Sequence, residues 1–196
     1  VNEVQSEITV LSRAINALSE KIAGLTPPAS STTPLAETLL QANAFVFDAA
    51  ANMLHPVEKV STPPLSLLYG IDRAKNALLE NTQQFAKGFS ANNALLWGAR
   101  GMGKSTLIKS VHYELCSDTA SIPALIEIHR EDISSLPTLL RGLSKSGRRC
   151  ILFCDDLSFN RPDQDFKALK SVLEGGLEGR PSNILFYATS NRRHLL

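Results

Sequence analysis

The run from Gly98 to Ser105, Gly-Ala-Arg-Gly-Met-Gly-Lys-Ser, fits the spacing G-x-x-x-x-G-K-[ST] of loops that wrap the phosphates of ATP or GTP. Its glycines leave the backbone free to point successive N–H groups at the phosphates, since no side chain blocks the conformations that this requires. We expect Lys104 to reach the β- and γ-phosphates and the Ser105 hydroxyl to bind Mg²⁺. These residue types therefore predict a site for a nucleotide and magnesium.

The sequence around this loop supports the same interpretation. Ala94–Trp97 is an apolar run that predicts a buried strand, and the residues from Lys104 onward predict a helix whose positive dipole end faces the anion. The alternative is a glycine-rich turn that merely joins a strand to a helix. The residues expected to bind the nucleotide are Gly98, Ala99, Arg100, Gly101, Met102, Gly103, Lys104, Ser105 and Thr106.

A second apolar run, Ile151–Cys154, ends in the adjacent acids Asp155 and Asp156. Ligands of open α/β sheets bind beyond the carboxyl ends of the strands, so we expect Asp155 to hold Mg²⁺, directly or through water, opposite Ser105. Asp156 points elsewhere and is predicted to orient or deprotonate an attacking water. The alternative is a strand that ends in an ordinary polar turn.

A third apolar run, 184–188, leads into Thr189, Ser190 and Asn191. The neutral amide of Asn191 is suited to contact the γ-phosphate or the attacking water. Catalytic roles are therefore predicted for Lys104, Asp156 and Asn191, and metal binding for Ser105 and Asp155.

The apolar pattern also predicts the elements that carry these residues. We expect strands at 93–97, 123–128, 150–154 and 184–188, and helices near 72–87, 104–116, 132–144 and 164–175. Strands that read as continuous apolar runs, separated by helices, predict an α/β fold with a parallel sheet covered by helices on both faces.

Together these motifs resemble the P-loop ATPases of the AAA+ superfamily, with Walker A at 98–105, Walker B at 151–156 and sensor 1 at Asn191. Residues 69–72, 97–101, 153–159 and 188–195 resemble an uncharacterised bacterial family of ATP-binding proteins within it. The paired acids are also similar to those of replication initiators and helicase loaders, which carry Asp where many relatives have Glu. The resemblance covers residues 65–196 and implies an AAA+ core in which Tyr69 and Ile71 line the adenine pocket.

ATPases of this kind continue beyond sensor 1 with another strand, a helical lid that bears a second sensor arginine, and an arginine finger for the neighbouring subunit. The sequence ends at Leu196, so we expect a fragment without the last strand and the lid, which hydrolyses ATP slowly or not at all by itself. Arg192 and Arg193 either face a neighbouring subunit's phosphates or lie in a solvated loop. Arg148 and Arg149 are expected at a solvated helix end.

Proline-rich stretches at 25–34 and 61–64 divide the chain into an N-terminal region, 1–64, and the core, 65–196. We expect the N-terminal region to be small and all-helical, with a second helix from Pro34 to just before Pro56. Its first helix pairs with another chain as a coiled coil or packs within its own chain. The heptad residues of that first helix are Val4, Ile8, Leu11, Ile15, Leu18, Ile22 and Leu25.

Composition excludes several classes of protein. The 196 residues are 43% hydrophobic and 20% charged with a net charge of +1, so no global field attracts nucleic acid or an anionic membrane. No apolar run approaches the length of a membrane span, and no signal peptide is recognisable. The three cysteines form no C-x-x-C pair, and Cys150 and Cys154 lie four apart on one apolar run, which predicts that these two thiols are buried. This cysteine usage indicates a reducing, cytoplasmic compartment.

The sequence thus predicts a module that binds ATP or ADP with Mg²⁺ and, when complete and assembled, hydrolyses ATP to change the shape of a partner. A homo-oligomer would form through the core or the N-terminal helix, and the client is either a protein or a nucleic acid. One alternative is a scaffold or switch that hydrolyses little. Another is a small-molecule kinase, although the adjacent acids and Asn191 suit the positioning of water better than the capture of an acceptor.

Overall fold

A computed structural model describes residues 35–118, 121–157, 169 and 181–191. Its helices are α1 (Leu35–Thr38), α2 (Asp72–Ala86), α3 (Lys104–Asp118) and α4 (Leu136–Ser144), with 3-10 turns at Leu65–Leu67 and Arg130–Ser135. Its strands are β1 (Ala44–Asp48), β2 (Met53–Pro56), β3 (Ala94–Trp97), β4 (Ala124–Ile128), β5 (Cys150–Cys154) and β6 (Ile184–Ser190). The strands expected from the apolar runs are confirmed. The burial expected for β3 is not, because this strand packs against the core through Ala94 and Leu96 and exposes Leu95 (39%) and Trp97 (55%).

The strands form one six-stranded sheet in the order β2-β1-β4-β5-β6-β3. All neighbouring strands pair in parallel except β1 and β2, which form an antiparallel hairpin. Because β3 lies beside β6 rather than beside β4, the chain crosses the sheet between β3 and β4 and returns toward β3 with β6. The predicted α/β fold with a mainly parallel sheet is confirmed.

Helices cover both faces of this sheet, and alternate residues of each strand face opposite layers. Ile126 packs in the core that contains α4, whereas its neighbour Leu125 packs in the core that contains α2 and α3. The same alternation holds on β5, where Leu152 faces the first layer and Phe153 the second. Burial on both faces explains why these strands read as unbroken apolar runs.

The helix expected from Pro34 to just before Pro56 is wrong. Phe45 and Phe47 are buried on the same face of β1, and Val46 between them is half-buried, which is the period of a strand. The turn to β2 includes Asn52 in a left-handed conformation with φ 49°, which interrupts a helix. Aromatic and β-branched residues also favour a strand. The helix was expected from apolar content, which does not by itself distinguish a helix from a strand.

The hairpin also moves the beginning of the sheet domain. β1 pairs in parallel with β4, so residues before the expected boundary at 64/65 belong to the same sheet as the phosphate loop. The chain divides into two compact units, Val1–Thr33 and Pro34–Leu196. The heptads within residues 4–25 lie in the first unit and outside the described residues, as does most of the helix expected at 164–175.

Arg148 does not lie at a solvated helix end, as its sequence context had suggested. Its guanidinium is half-buried and donates hydrogen bonds that hold the segment between α1 and β1 against the start of β4. The acceptors are the carbonyl oxygens of Leu39, Ala42 (2.8 Å) and Ile122 (3.3 Å) and the Oδ1 of Asn43 (2.7 Å). Arg149 is also half-buried and lies over the Phe85 ring, 5.2 Å from its centroid.

The burial predicted for the thiols of Cys150 and Cys154 is confirmed. Cys150 and Cys154 are buried in β5, and burial raises the pKa of each thiol to about 12. Cys116 is half-buried on α3. Within the described part of the chain, no helix has the length and apolar character needed to cross a membrane.

We predict that Arg148→Met lowers the free energy of unfolding by about 3 kcal/mol, because methionine fills the space but removes the donor to three partly buried carbonyl groups. Denaturant unfolding measures this change. Arg149→Met is the matched control, and the loss of its contact with Phe85 should cost about 1 kcal/mol or less. Equal losses in the two variants would contradict the role given to Arg148.

Candidate functional site

The site is assembled by the parallel pairing of three strands. Trp97 at the end of β3 lies beside Ser190 at the end of β6, and Cys154 at the end of β5 lies beside Ala188. The carboxyl ends of the three strands therefore meet at one edge of the sheet. The loop after β3, the acids after β5 and Asn191 after β6 are brought together there, as the sequence predicted.

A cleft of about 310 Å³ lies between these segments. Its described lining residues are Arg100, Gly101, Met102, Gly103, Lys104, Ser105, Thr106, Asp155, Asp156, Thr189 and Asn191. Most of the predicted site residues therefore share one cavity. Gly98 and Ala99 are not among these lining residues, but their carbonyl oxygens accept hydrogen bonds from Lys104.

The glycines of the loop have the backbone conformations for which they were singled out. Gly101 and Gly103 are left-handed, with φ of 81° and 73°. A Cβ atom at either position would meet nothing within 4 Å, so backbone strain rather than crowding is what favours glycine there. Gly103 also accepts the hydrogen bond of Leu107 N at 2.8 Å, which begins the ladder of α3.

Lys104 connects the loop to the end of β6. Its Nζ donates to the carbonyl oxygens of Gly98 (2.9 Å) and Ala99 (2.8 Å) and to Oδ1 of Asn191 (3.1 Å). The ammonium group, on a residue that lines the cleft, is thus held in place by three neutral oxygen atoms.

Asp155 is the point at which the three segments converge. Its Oδ1 accepts hydrogen bonds from the hydroxyls of Ser105 and Thr189 and, at 3.1 Å, from the backbone N–H of Asp156. Burial would raise the pKa of the Asp155 carboxyl, but these hydrogen bonds and the nearby charge of Lys109 together hold that pKa below its ordinary value. Asp155 is therefore a carboxylate at neutral pH.

Asp156 has an unusual backbone conformation, and its carboxylate has a different partner from that of Asp155. Its φ is 50°, in the left-handed region that Asp and Asn tolerate better than most residues. Its N–H donates to the Thr189 hydroxyl at 2.9 Å, and its Oδ1 accepts from Nδ2 of Asn191 at 2.6 Å. The carboxylates of these two adjacent acids thus have different side-chain partners: Ser105 and Thr189 bond to Asp155, and Asn191 bonds to Asp156.

The donor set fits magnesium. The Ser105 hydroxyl and the Asp155 carboxylate are in contact, and both offer the hard oxygen ligands that Mg²⁺ prefers. No group of three or more His, Cys, Asp and Glu side chains suited to a metal occurs among the described residues. Two protein oxygens suit Mg²⁺ bound with a substrate, because that ion usually keeps several waters and binds phosphate oxygens directly.

Sequence reasoning missed Thr189, although it named the run in which Thr189 lies. The sequence did contain a signal for it: a hydroxyl residue near the end of one buried strand, where the neighbouring strand was expected to end in acids.

Tyr69 is 81% exposed and Ile71 is half-buried. Neither is among the described residues that line the cleft, so their place in an adenine pocket stays a prediction. Arg192 and Arg193 lie outside the described residues.

Comparison with known protein families gives a match over most of the chain. A family model described as "Protein of unknown function (DUF815)" matches residues 40–196. None of the curated proteins matches the chain. The matched range begins just before β1 and includes every residue of the cleft, so the hairpin that the sequence analysis misassigned lies within the family's own boundaries.

The lowered pKa of Asp155 predicts a pH dependence of stability. The pKa of Asp155 is the ordinary 3.8 in the unfolded chain and is lower in the folded protein. The carboxylate's contribution to the free energy of unfolding is therefore fully present above pH 3.8 and is lost as the pH falls through the folded pKa. Urea titrations of the parent and of Asp155→Asn should give a stability difference that is constant from about pH 7 to about pH 5 and shrinks below pH 3.8. A difference that already shrinks above pH 5 would contradict the assignment.

Proposed function

The chain belongs to the DUF815 family of proteins of unknown function, and we propose that it is an ATP-binding core of the AAA+ type that binds ATP and ADP with Mg²⁺. The observation that carries the proposal is the convergence of Lys104, Ser105, Asp155, Asp156 and Asn191 on one cleft. Each comes from one of three segments that are distant in the sequence. A glycine-rich turn that only joined a strand to a helix would not require the other two segments to supply acids and an amide.

The roles in binding follow from the contacts in the cleft. Lys104 exchanges its neutral oxygen partners for the β- and γ-phosphates. The left-handed glycines, Gly101 and Gly103, open the loop so that its N–H groups reach the phosphates together with the N-terminus of α3. Ser105 and Asp155 hold Mg²⁺, which neutralises charge on the phosphate oxygens.

Hydrolysis would use Asp156 and Asn191. The Asp156 carboxylate accepts the proton of a water whose oxygen bonds to the γ-phosphorus, while the bond to the β–γ bridging oxygen breaks to give ADP and phosphate. Asn191 lies between Lys104 and Asp156 through hydrogen bonds to both. It is therefore placed to sense the γ-phosphate through Lys104 and to orient the water or the base.

The hydrogen bond between Asn191 and Asp156 supports a second candidate function, a nucleotide-dependent switch that hydrolyses little. The Asp156 carboxylate is already bound by Asn191, and its side chain is one methylene shorter than that of Glu. A base misplaced by about 1 Å can lose about a hundredfold in rate. The output would then be the change in contacts at Asn191 when ATP replaces ADP.

The proposed module passes a change of shape to a partner, a protein or a nucleic acid, or to further copies of its own chain. We also propose a cytoplasmic location. The free thiols of Cys116, Cys150 and Cys154 fit a reducing compartment, because unpaired cysteines are uncommon in oxidising ones.

We predict that Lys104→Ala weakens the binding of MgATP by at least about tenfold, or 1.4 kcal/mol, because it removes the charge that faces the β- and γ-phosphates. Fluorescent-nucleotide titration or calorimetry measures the affinity. Lys87→Ala removes an exposed lysine after the end of α2 and outside the cleft, so it should bind as the parent does. Unchanged affinity in Lys104→Ala would overturn the nucleotide assignment.

We predict that Asp156→Asn binds MgATP as tightly as the parent but turns it over about a hundredfold more slowly, because Asn tolerates the left-handed backbone and cannot accept the proton. Single-turnover phosphate release separates the chemical step from binding. Glu114→Gln, at an exposed position on α3, is the charge-matched control. Equal turnover in the parent and Asp156→Asn would remove Asp156 from catalysis, and a parent that binds without turnover would favour the switch.

A further inference from the structure

Thr189 holds three consecutive residues at the end of β5. Its hydroxyl is bonded to the Asp155 carboxylate and accepts the backbone N–H of Asp156 at 2.9 Å. Its carbonyl oxygen accepts the N–H of Leu157 at 2.7 Å. A single residue on β6 thus fixes the path of the chain through both acids and out of the neighbouring strand.

The direction of these hydrogen bonds is determined by the chemistry of the partners. A backbone N–H only donates, so the Thr189 oxygen is the acceptor for Asp156. A carboxylate only accepts, so the one hydroxyl proton of Thr189 points at Asp155. Thr189 is 1% exposed, and water therefore competes little for either bond.

The Asp156 backbone explains why such a support is needed. A left-handed non-glycine residue costs about 1–3 kcal/mol and persists only where its surroundings hold it in place. The hydrogen bond from Asp156 N to Thr189 ties down the amide of that residue, and its carboxylate then meets Asn191. Without this hydrogen bond, the left-handed conformation of Asp156, which directs the two carboxylates apart, would be less stable.

From these contacts we infer that Thr189 is a positioning residue of the site: its hydroxyl orients Asp155 toward the metal position and sets the left-handed turn that separates Asp156 from it. The inference rests on the proposed binding of Mg²⁺ and nucleotide. Thr189 lines the cleft, but its hydroxyl is already bonded to Asp155 and Asp156, so it acts on the metal position through these two residues.

The chain offers a matched control for this buried threonine. Thr82 on α2 is also 1% exposed, and its hydroxyl donates to Leu78 O at 2.6 Å and contacts the Tyr187 hydroxyl at 2.9 Å. Thr82→Val and Thr189→Val therefore each delete one buried hydroxyl group and nearly preserve the volume of the side chain. Only the second deletes a contact with the acids, while Thr189→Ser restores the hydroxyl.

The experiment compares ATP affinity with and without Mg²⁺ in these variants. Thr189→Val should lose about tenfold of the affinity gained from Mg²⁺ while its metal-free affinity stays at the parental value, and Thr189→Ser should recover most of the gain. Thr82→Val should keep the full gain even where its melting temperature falls. A parental Mg²⁺ gain in Thr189→Val, or an equal loss in Thr82→Val, would overturn the inference.

A second readout needs no nucleotide and separates this inference from the proposed function. Loss of the Thr189 hydroxyl removes one of the hydrogen bonds that the Asp155 carboxylate accepts, so the substitutions Thr189→Val and Asp155→Asn should not be additive. The change in stability caused by Asp155→Asn should therefore be smaller in a chain that also carries Thr189→Val than in the parent, and unchanged in one that carries Thr82→Val. If the parent binds no nucleotide but this effect is present, the proposed function fails while the orienting contact stands. If the effect is absent, the positioning role fails. Should Thr189→Val not fold, the pair Thr189→Ala and Thr189→Ser makes the same comparison.

Discussion

The parallel pairing of β5, β6 and β3 is the constraint on which the site depends. Successive residues of a strand face opposite sides of the sheet, so a shift of one residue in this pairing would turn Thr189 away from Asp155. The register is fixed by burial on both faces, because β5 and β6 are buried along their whole lengths. The packing of the core and the geometry of the acids are therefore consequences of the same ladder of hydrogen bonds.

Much of this arrangement could be predicted from the sequence because its parts are local. Strands buried on both faces appear as apolar runs, and the residues that follow them necessarily meet at one edge when the strands are parallel. The loop from Gly98 to Ser105 and the acids after Cys154 were found in this way. The six-stranded sheet adds only the hairpin at its far edge.

The parts that could not be predicted depend on neighbours that are distant in sequence. Phe45 and Phe47 could be assigned to a strand only through a period of two, and their apolar content suits a helix equally well. Arg148 acquires its role because the ends of α1, β1 and β4 bring carbonyl oxygens around one guanidinium. Thr189 acquires its role from the strand beside it. Nothing in the local sequence of either residue shows these partners.

The electrostatics of the cleft divide its charges in a way that suits an anion and a metal together. Ser105, Thr189 and Asn191 are neutral donors, and together they supply side-chain hydrogen bonds to both carboxylates. The acceptors around Lys104 are also neutral. Because these contacts orient the charged groups without cancelling them, a phosphate and a divalent cation would each meet a full opposite charge.

The three oxygen partners of Lys104 affect the entropy of binding at this side chain. A long side chain normally loses up to about 2 kcal/mol of rotational freedom when it is fixed, but here folding has already restricted it between Gly98, Ala99 and Asn191. An incoming anion would therefore replace existing hydrogen bonds rather than create them on a free side chain. If an anion binds as proposed, the heat released at Lys104 would then be smaller than for a free side chain, and its share of the affinity would come from charge and from an entropy loss that occurred on folding.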